Sequence, residues 1–176
     1  MNKLKKSLAN KGMALAEVLV AAFLLSGAFA GTIAFISQYL RGLEHSQNMT
    51  LAINAAQQRI ESILGRVNPT APDTVEDFFS DTISDYTNNP TFNVYDSTGS
   101  AMPNFKGTTY ISSQNINDLT FYRIKAVVCW EQAGGILIGE DKNLNGVLDS
   151  GEDKAGGTAN ELDSPVSIII NITNID

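Results

Sequence analysis

The chain has 176 residues, of which 43% are hydrophobic, and its formal net charge is −7. Four of the basic residues lie within the first eleven positions, which leaves the remainder strongly acidic. This composition supports one packed domain with an additional element, excludes wholesale disorder, and argues against direct nucleic acid binding, because an acidic body repels phosphate backbones.

The N-terminal segment combines a basic tip with a long apolar run. After Asn10 the sequence reads KGMALAEVLVAAFLL, and no residue from Val18 to Leu40 carries a formal charge. A helix rises about 1.5 Å per residue, so this run is long enough to cross a bilayer. Lysines before an apolar stretch mark the cytoplasmic side of a membrane. Glu17 does not fit a plain anchor, because an unpaired carboxylate inside such a run is costly.

The helical pattern continues beyond the apolar run as an amphipathic stripe. Apolar residues recur at spacings of four and three after Arg41, and no proline occurs before Pro69. Such spacing places them on one face of a helix. We therefore predict one helix from about Met13 to Gly65, with a membrane half, 13–40, and an amphipathic half, 41–66. The residues of the stripe are Met49, Ile53, Ala56, Ile60 and Ile63.

The rest of the chain, 67–176, is predicted to be a globular β-sheet domain. Residues 68–118 are rich in turn-forming residues and indicate an irregular segment, with a short helix near 74–79 and a strand near 92–95. Farther on, LTFYRIKAVVCW, GILIG and VSIIINIT are typical of strands. The expected fold class is α+β, a long N-terminal helix packed against a C-terminal antiparallel β-sheet. The single cysteine, Cys129, lies in a strand sequence and is predicted to be a buried thiol.

Two interpretations of the N-terminus use general membrane signals. A cleaved secretory signal would end at the small residues Ala28-Phe29-Ala30, but its apolar region is normally shorter than this run and free of charge. A plain single-pass anchor explains the length of the run and leaves Glu17 unexplained. A lipoprotein anchor is excluded, because no cysteine lies near the N-terminus.

A third interpretation accounts for the leader, the glutamate and the two-part helix together. A basic leader ends in Lys11-Gly12, an apolar residue follows, and a glutamate stands at the fifth position after that glycine. In these features KGMALAEVLVAAFLL resembles the class III signal of bacterial type IV pilins and of the related pseudopilins of type II secretion. The resemblance covers roughly residues 1–65. Phenylalanine is commoner than methionine after the cut, and the C-terminal disulfide of many pilins cannot form with one cysteine.

The resemblance implies processing and assembly roles for three residues. A membrane aspartyl peptidase would cut after Gly12, release the leader 1–12 and methylate the new N-terminus at Met13. Glu17 matches the family's glutamate. In an assembled bundle of helices it would pair with the Met13 amine of a neighbouring subunit, because an unpaired buried charge costs several kcal/mol.

The same resemblance implies a function and a set of partners. The chain would be a structural subunit of a type IV pilus or a type II secretion pseudopilus. It would cross the bacterial inner membrane once before assembly and then lie in an extracellular pilus or a periplasmic pseudopilus. Its partners would be other pilin subunits (copies of itself or different pilins), the prepilin peptidase, the inner-membrane assembly platform and the membrane.

A second motif lies in the β-rich region. Residues 141–152, DKNLNGVLDSGE, match the calcium-loop pattern D-x-[DN]-x-[DN]-G-x5-E in full. In this pattern alternate side chains converge on one ion, Gly146 permits the sharp turn, and a final glutamate supplies two oxygens. The flanking sequences do not indicate a helix pair, so Ca²⁺ would act as a structural clamp; the alternative is a solvated acidic turn. The candidate ligands are Asp141, Asn143, Asn145, the backbone carbonyl of Val147, Asp149 and Glu152.

No pattern in the sequence indicates catalysis. His45 is the only histidine, no serine lies in a nucleophile motif, and the sequence contains no phosphate-binding loop. We therefore expect no enzymatic activity, with His45 on the surface and with Trp130 and Phe121 as core or loop anchors rather than binding aromatics. Two alternatives to a bulk structural subunit stay open. One is a minor or tip subunit that serves as a binding module for adhesion, DNA uptake or secretion cargo, and the other is a calcium-binding domain on a simple membrane anchor.

Overall fold

The computed structural model describes residues 2–66, 84–88, 90–116, 119–153 and 160–173. The side chains of 2–14, Leu119 and Thr173 lie outside that description. Residues 84–88 are helical, and the predicted helix near 74–79 falls outside the described residues. The expected α+β class, a long N-terminal helix packed against a C-terminal antiparallel sheet, is confirmed. The main elements are α1 Asn2–Arg66, β1 Thr91–Phe92, β2 Phe105–Ile116, β3 Leu119–Gln132, β4 Ile136–Ile138 and β5 Val166–Thr173.

The chain divides into two compact units, 1–43 and 44–176. In the first unit α1 begins at Asn2, earlier than the expected Met13. Every side chain from Leu15 to Leu43 is exposed. Within the described residues, α1 is the one helix long and apolar enough to cross a membrane, by length and composition alone. A helix that is apolar on all sides is typical of a membrane span or of the core of a large protein, so by composition this part of α1 could be a membrane anchor.

The second unit is built on two long paired strands. β2 and β3 pair in antiparallel fashion from Phe105–Trp130 to Ile116–Leu119. β1 pairs with β2, while β4 and β5 pair with the other edge of β3. The predicted strand near 92–95 is observed as β1 and an isolated bridge between Tyr95 and Ala101.

The prediction of an irregular segment over 68–118 was wrong for β2. Its sequence, FKGTTYISSQNI, carries glycine, threonines, serines and asparagine, which conceal the alternation typical of a strand. The second half of β2 is exposed and therefore has no apolar face to detect. Strand formation here follows from pairing with β3 along the whole length of β2, because context overrides β-propensity.

The inner face of the sheet packs on the amphipathic half of α1. Ala52 and Ala56 are fully buried between helix and sheet, where a larger side chain would find no room. The predicted stripe is confirmed, since its members are buried or packed against the core. From β3 the core takes alternate residues, as the period of a strand requires. These residues are Ile124, Ala126, Val128 and Trp130.

β3 runs in the opposite direction to this half of α1. Near its start, Ile124 clusters with Ile63, close to the end of the helix. Near its end, the Trp130 and His45 rings lie with centroids 6.2 Å apart. His45 is exposed, as predicted. Trp130 is fully buried, so of the two predicted alternatives, a core or a loop anchor, it is a core residue. The end of β3 therefore lies beside the beginning of the second unit.

A smaller cluster occupies the outer face of the sheet. Val127 and Cys129 alternate with the residues that face α1 and cluster with Leu162, with Leu144 and Leu148 packed against them. Cys129 is a buried free thiol, which confirms the prediction. Burial raises the pKa of this thiol. The thiol is therefore protonated at neutral pH and unreactive.

Candidate metal loop and its buried anchor

The loop 141–152 follows β4 closely and lies on the outer face of the sheet. Its Leu144 and Leu148 cover the outer cluster. Thr108 of β2 donates its hydroxyl to the Gly146 carbonyl, with 2.6 Å between the oxygens. The loop is therefore attached to the sheet by both apolar contacts and a hydrogen bond.

Asp141 is the buried centre of the loop, with 0% of its surface exposed. Its Oδ1 accepts the Asn145 N–H at 3.1 Å and its Oδ2 accepts the Gly146 N–H at 2.7 Å. Burial raises the pKa of the Asp141 carboxyl, these two hydrogen bonds lower it in part, and the Glu152 charge raises it. A buried carboxylate whose ionisation is disfavoured in this way would gain from a bound cation.

Three side chains of the motif converge around one oxygen. The side-chain amides of Asn143 and Asn145 both donate to Asp149 Oδ2, at 2.7 and 2.9 Å. The amide oxygens accept backbone N–H groups two residues ahead, Asn143 from Asn145 at 3.1 Å and Asn145 from Val147 at 2.7 Å. The side chain of Val147 is 51% exposed, which suits a residue expected to offer only its carbonyl.

Glu152 joins the two ends of the loop. Its Oε1 accepts the Lys142 N–H at 2.7 Å, and its Oε2 accepts the Asp149 N–H at 2.9 Å. The Lys142 ammonium donates to the Gly151 carbonyl. Glu152 is buried at 3% exposure, so its carboxylate lies inside the loop as the motif predicts.

The donor set of the loop suits an oxygen-binding cation. Among the side chains that the structure describes, no group of three or more histidines, cysteines, aspartates and glutamates is disposed to hold a metal ion. Ca²⁺, however, takes about six to eight oxygens and uses amide and backbone carbonyls beside carboxylates. The motif offers these oxygen types, so Ca²⁺ binding stays a prediction.

Gly146→Ala is expected to destabilise the protein strongly. Gly146 has φ of +81°, where a side chain is strained, and an added Cβ would lie 2.5 Å from Thr91 Cγ2 and 3.1 Å from Thr108 Oγ1. The strain costs roughly 1–2 kcal/mol, and overpacking of this kind adds typically about 1–3 kcal/mol. The measurement is urea unfolding of the detergent-solubilised chain, followed by Trp130 fluorescence.

Gly151→Ala is the matched control for this prediction. Gly151 has φ of +87°, and an added Cβ would meet nothing within 4 Å. This variant therefore carries the conformational strain without the clash. Equal losses of stability in the two variants would show that the contact between the loop and β1–β2 contributes nothing.

Beside the loop lies a cluster of charged side chains, centred on the buried Lys125, that was not predicted from the sequence. Lys125 of β3 is 1% exposed. Its ammonium nitrogen lies 2.8 Å from Asp163 Oδ1 and 3.1 Å from Glu161 Oε2. Arg123 also contacts Glu161, at 2.9 Å. These four residues are called the Lys125 cluster below. One signal for it existed, because Lys125 alternates with Val127 and Cys129 along β3 and so belongs to a covered face.

The candidate loop and the Lys125 cluster share a backbone junction. Glu140, which directly precedes Asp141, is 6% exposed. Its N–H donates to the Asp163 carbonyl at 3.0 Å, and its Oε2 accepts the Asp163 N–H at 3.1 Å. Displacement of the loop would therefore disturb the position of Asp163 beside Lys125.

The predicted processing and assembly residues lie far along the chain from this loop. Gly12, Met13 and Glu17 are all within α1. Glu17 is exposed, and the side chains of Gly12 and Met13 are outside the described set. Their roles stay predictions. Comparison with protein-family models, with curated proteins and with solved structures gave no match to this chain.

Proposed function

We propose that this chain is a structural subunit of a bacterial filament, either a type IV pilus or a type II secretion pseudopilus. It is held in the inner membrane by α1 before assembly and enters the filament after a prepilin peptidase cuts between Gly12 and Met13. The observation that carries the proposal is the sequence KGMALAEVLV, with Glu17 at the fifth position after the glycine and an exposed apolar helix behind it.

The chemistry of the first unit supports assembly through the helix. A helix that is apolar on every side is accommodated first by lipid and then by the helices of neighbouring subunits. The cut after Gly12 creates a positive amine at Met13, about one helical turn from Glu17. Once lipid is replaced by protein, the carboxylate needs a partner, and the amine of a neighbouring subunit supplies one.

The mature N-terminus is expected to be an N-methylated Met13. Mass spectrometry of the N-terminal peptide from membrane and filament fractions measures this directly. Gly12→Val is the matched control, because it leaves the apolar run intact and places a branched side chain at the bond to be cut; this variant should retain the leader.

Other N-termini in the wild-type chain would support the competing interpretations. An intact leader would contradict the proposal and indicate a calcium-binding domain on a simple anchor. A terminus at Gly31 would instead identify a secretory signal. If Met13 is the terminus, the abundance of the chain in purified filaments distinguishes a bulk subunit from a minor or tip subunit.

The loop 141–152 is proposed to bind Ca²⁺ as a structural clamp. Two of its three carboxylates, Asp141 and Glu152, are buried, and burial first of all, with the Glu152 charge in addition, raises the pKa of the Asp141 carboxyl. A divalent cation would offset that repulsion. The clamp would hold the segment that covers the outer face of the sheet, in a protein whose single cysteine permits no internal disulfide.

Addition of Ca²⁺ is expected to raise the melting temperature of the detergent-solubilised chain. Binding to the folded state alone stabilises it by about 2.7 kcal/mol at one hundred times Kd. The increase should be lost as pH falls through the pKa of the Asp141 carboxyl, because protonation removes the charge that holds the ion. Circular dichroism melting in Ca²⁺ and in chelator, at neutral and acidic pH, measures both effects.

Asp141→Asn and Mg²⁺ are the controls for this measurement. The variant keeps the shape of the side chain without its charge and should respond weakly to Ca²⁺. Mg²⁺ keeps its own waters and should stabilise the wild-type chain less. A melting temperature that is equal in Ca²⁺ and in chelator would argue against the clamp.

A further inference from the structure

The hairpin between β3 and β4 contacts α1 at Glu44 and His45, where the helix changes from apolar on all sides to amphipathic. The Ala133 N–H donates to Glu44 Oε1 at 2.9 Å, and Gln132 Nε2 lies 2.8 Å from His45 Nδ1. Glu44 directly follows Leu43, the last residue of the continuously exposed run. Since β3 runs opposite to the amphipathic half of α1, this hairpin lies at the end of the sheet beside Glu44 and His45, where the second unit begins.

Residue types on α1 indicate where a bilayer would end. The apolar run closes with Tyr39, Leu40 and Arg41. Tyrosine and arginine are favoured at the boundary between lipid and water. Glu44 follows Arg41 within about one helical turn, so the residue that binds the hairpin backbone lies just outside that boundary.

The chemistry of the hairpin suits contact with lipid. Residues 132–139 read QAGGILIG and carry no charge, in a chain whose body is acidic. The exposed Glu131 precedes them, and its Oε1 lies 3.6 Å from the position that a Cβ on Gly135 would take. Residues 133–136 are exposed, and Ile136 is 53% exposed. Glu44, the nearest carboxylate on the helix, is partly shielded and bonded to the Ala133 N–H. The segment 132–139 is itself uncharged and presents the isoleucine, so it can approach headgroups and insert that side chain with less repulsion than the acidic remainder of the chain.

We infer that the hairpin 132–139 contacts the bilayer surface while the subunit is anchored, with Ile136 inserted among the lipid headgroups. This inference rests on the proposed membrane anchorage. The contact orients the second unit on the membrane and would be released when the subunit enters a filament. The partner is lipid, and a second copy of the chain is the alternative that the experiment must exclude.

The opposite end of the sheet provides a matched control position. Ile116, at the end of β2, is 50% exposed, which is close to the value for Ile136. β3 has 14 residues. At about 3.3 Å per residue, the two hairpins lie about 40 Å apart along this strand. A label at position 116 is therefore about as exposed as one at position 136 but lies at the opposite end of the sheet from Glu44.

The experiment places an environment-sensitive fluorophore at single positions of the full chain. Three single-cysteine variants are made in a Cys129→Ala background: Ile136→Cys, Ile116→Cys and Phe29→Cys. Each variant is labelled and reconstituted into vesicles of phosphatidylethanolamine and phosphatidylglycerol. Some vesicles also carry a spin-labelled quencher lipid. We expect blue-shifted emission and a loss of intensity with the quencher lipid at positions 136 and 29, and neither change at position 116. Circular dichroism checks that each variant is folded.

The position 29 label separates failure of the inference from failure of the anchorage. Quenching at 29 without quenching at 136 would overturn the inference and leave the anchorage intact. No quenching at 29 would overturn both. Equal quenching at 136 and 116 would indicate nonspecific adsorption and would also overturn the inference. A blue shift at position 136 that increases with the protein density in the vesicles, without any loss of intensity from the quencher lipid, would identify a second copy of the chain as the partner instead.

Discussion

Lys125→Ala is expected to lower the free energy of unfolding by about 3 kcal/mol or more. The Lys125 ammonium is buried and contacts the carboxylates of Glu161 and Asp163. The substitution removes the buried ammonium from the partly exposed carboxylates of Glu161 and Asp163 and opens a cavity where the Lys125 stem packed. Truncation of a buried side chain of this size to alanine costs about 2–5 kcal/mol. The loss should appear in urea unfolding of the detergent-solubilised chain.

Arg123→Ala is the control for the Lys125 prediction. Arg123 contacts the same Glu161, but its side chain is 32% exposed, against 2% for Lys125. Exposed ion pairs contribute about 0–1 kcal/mol, so this variant should lose little. The prediction fails if the two variants lose the same stability, because burial would then not matter. Lys125→Met, which keeps most of the apolar stem, separates the lost charge from the lost packing.

Glu17→Ala is expected to leave membrane insertion intact and to reduce incorporation into filaments strongly. The substitution makes the apolar run more apolar, so insertion is not impaired. It removes the carboxylate proposed to pair with the Met13 amine of a neighbour, which leaves that amine buried without a partner. Each 1.4 kcal/mol corresponds to about a tenfold change, so a loss of about 3 kcal/mol lowers incorporation by about a hundredfold. Quantification in sheared surface fractions and in membranes measures both quantities.

Thr32→Ala provides the matched control for Glu17. Thr32 is another polar residue within the apolar run, but its hydroxyl donates to the Ala28 carbonyl at 2.9 Å within the helix. It therefore needs no partner from another subunit, and its removal should not affect incorporation. Normal incorporation of the Glu17→Ala chain would refute a register role for the carboxylate. Absence of the variant from membranes would show that insertion, rather than assembly, depends on Glu17.

The architecture was largely predictable because its elements follow local periodicity. The long helix, its amphipathic stripe and the strands LTFYRIKAVVCW and VSIIINIT each repeat apolar residues at the spacing of one secondary structure. The loop 141–152 was likewise recognisable, because every position of its motif lies within one short segment. What these patterns share is that all their determinants lie close together in the sequence.

β2 was missed because its stability depends on distant residues. Its Thr108 and Thr109 are buried at 3% exposure. Both obtain hydrogen-bond partners far along the chain, since Thr108 donates to the Gly146 carbonyl and Thr109 accepts from Arg59 Nε at 3.0 Å. Without knowledge of its partners, a polar residue such as threonine indicates a loop. It can be buried in a strand only because a hydrogen-bond partner elsewhere in the fold satisfies its hydroxyl.

The Lys125 cluster shows the same limit for the candidate site. Local alternation places Lys125 on one face of β3, but Asp163 lies 38 positions further along the chain. The sequence of this protein was therefore sufficient for the helix, most of the sheet and the composition of the metal loop, because these depend on neighbouring residues. Only the tertiary structure showed three further features: which segments cover the outer face, how the loop joins the Lys125 cluster, and where the β3–β4 hairpin lies beside Glu44. These features depend on the folded chain because buried charges and polar groups need partners that are remote in sequence.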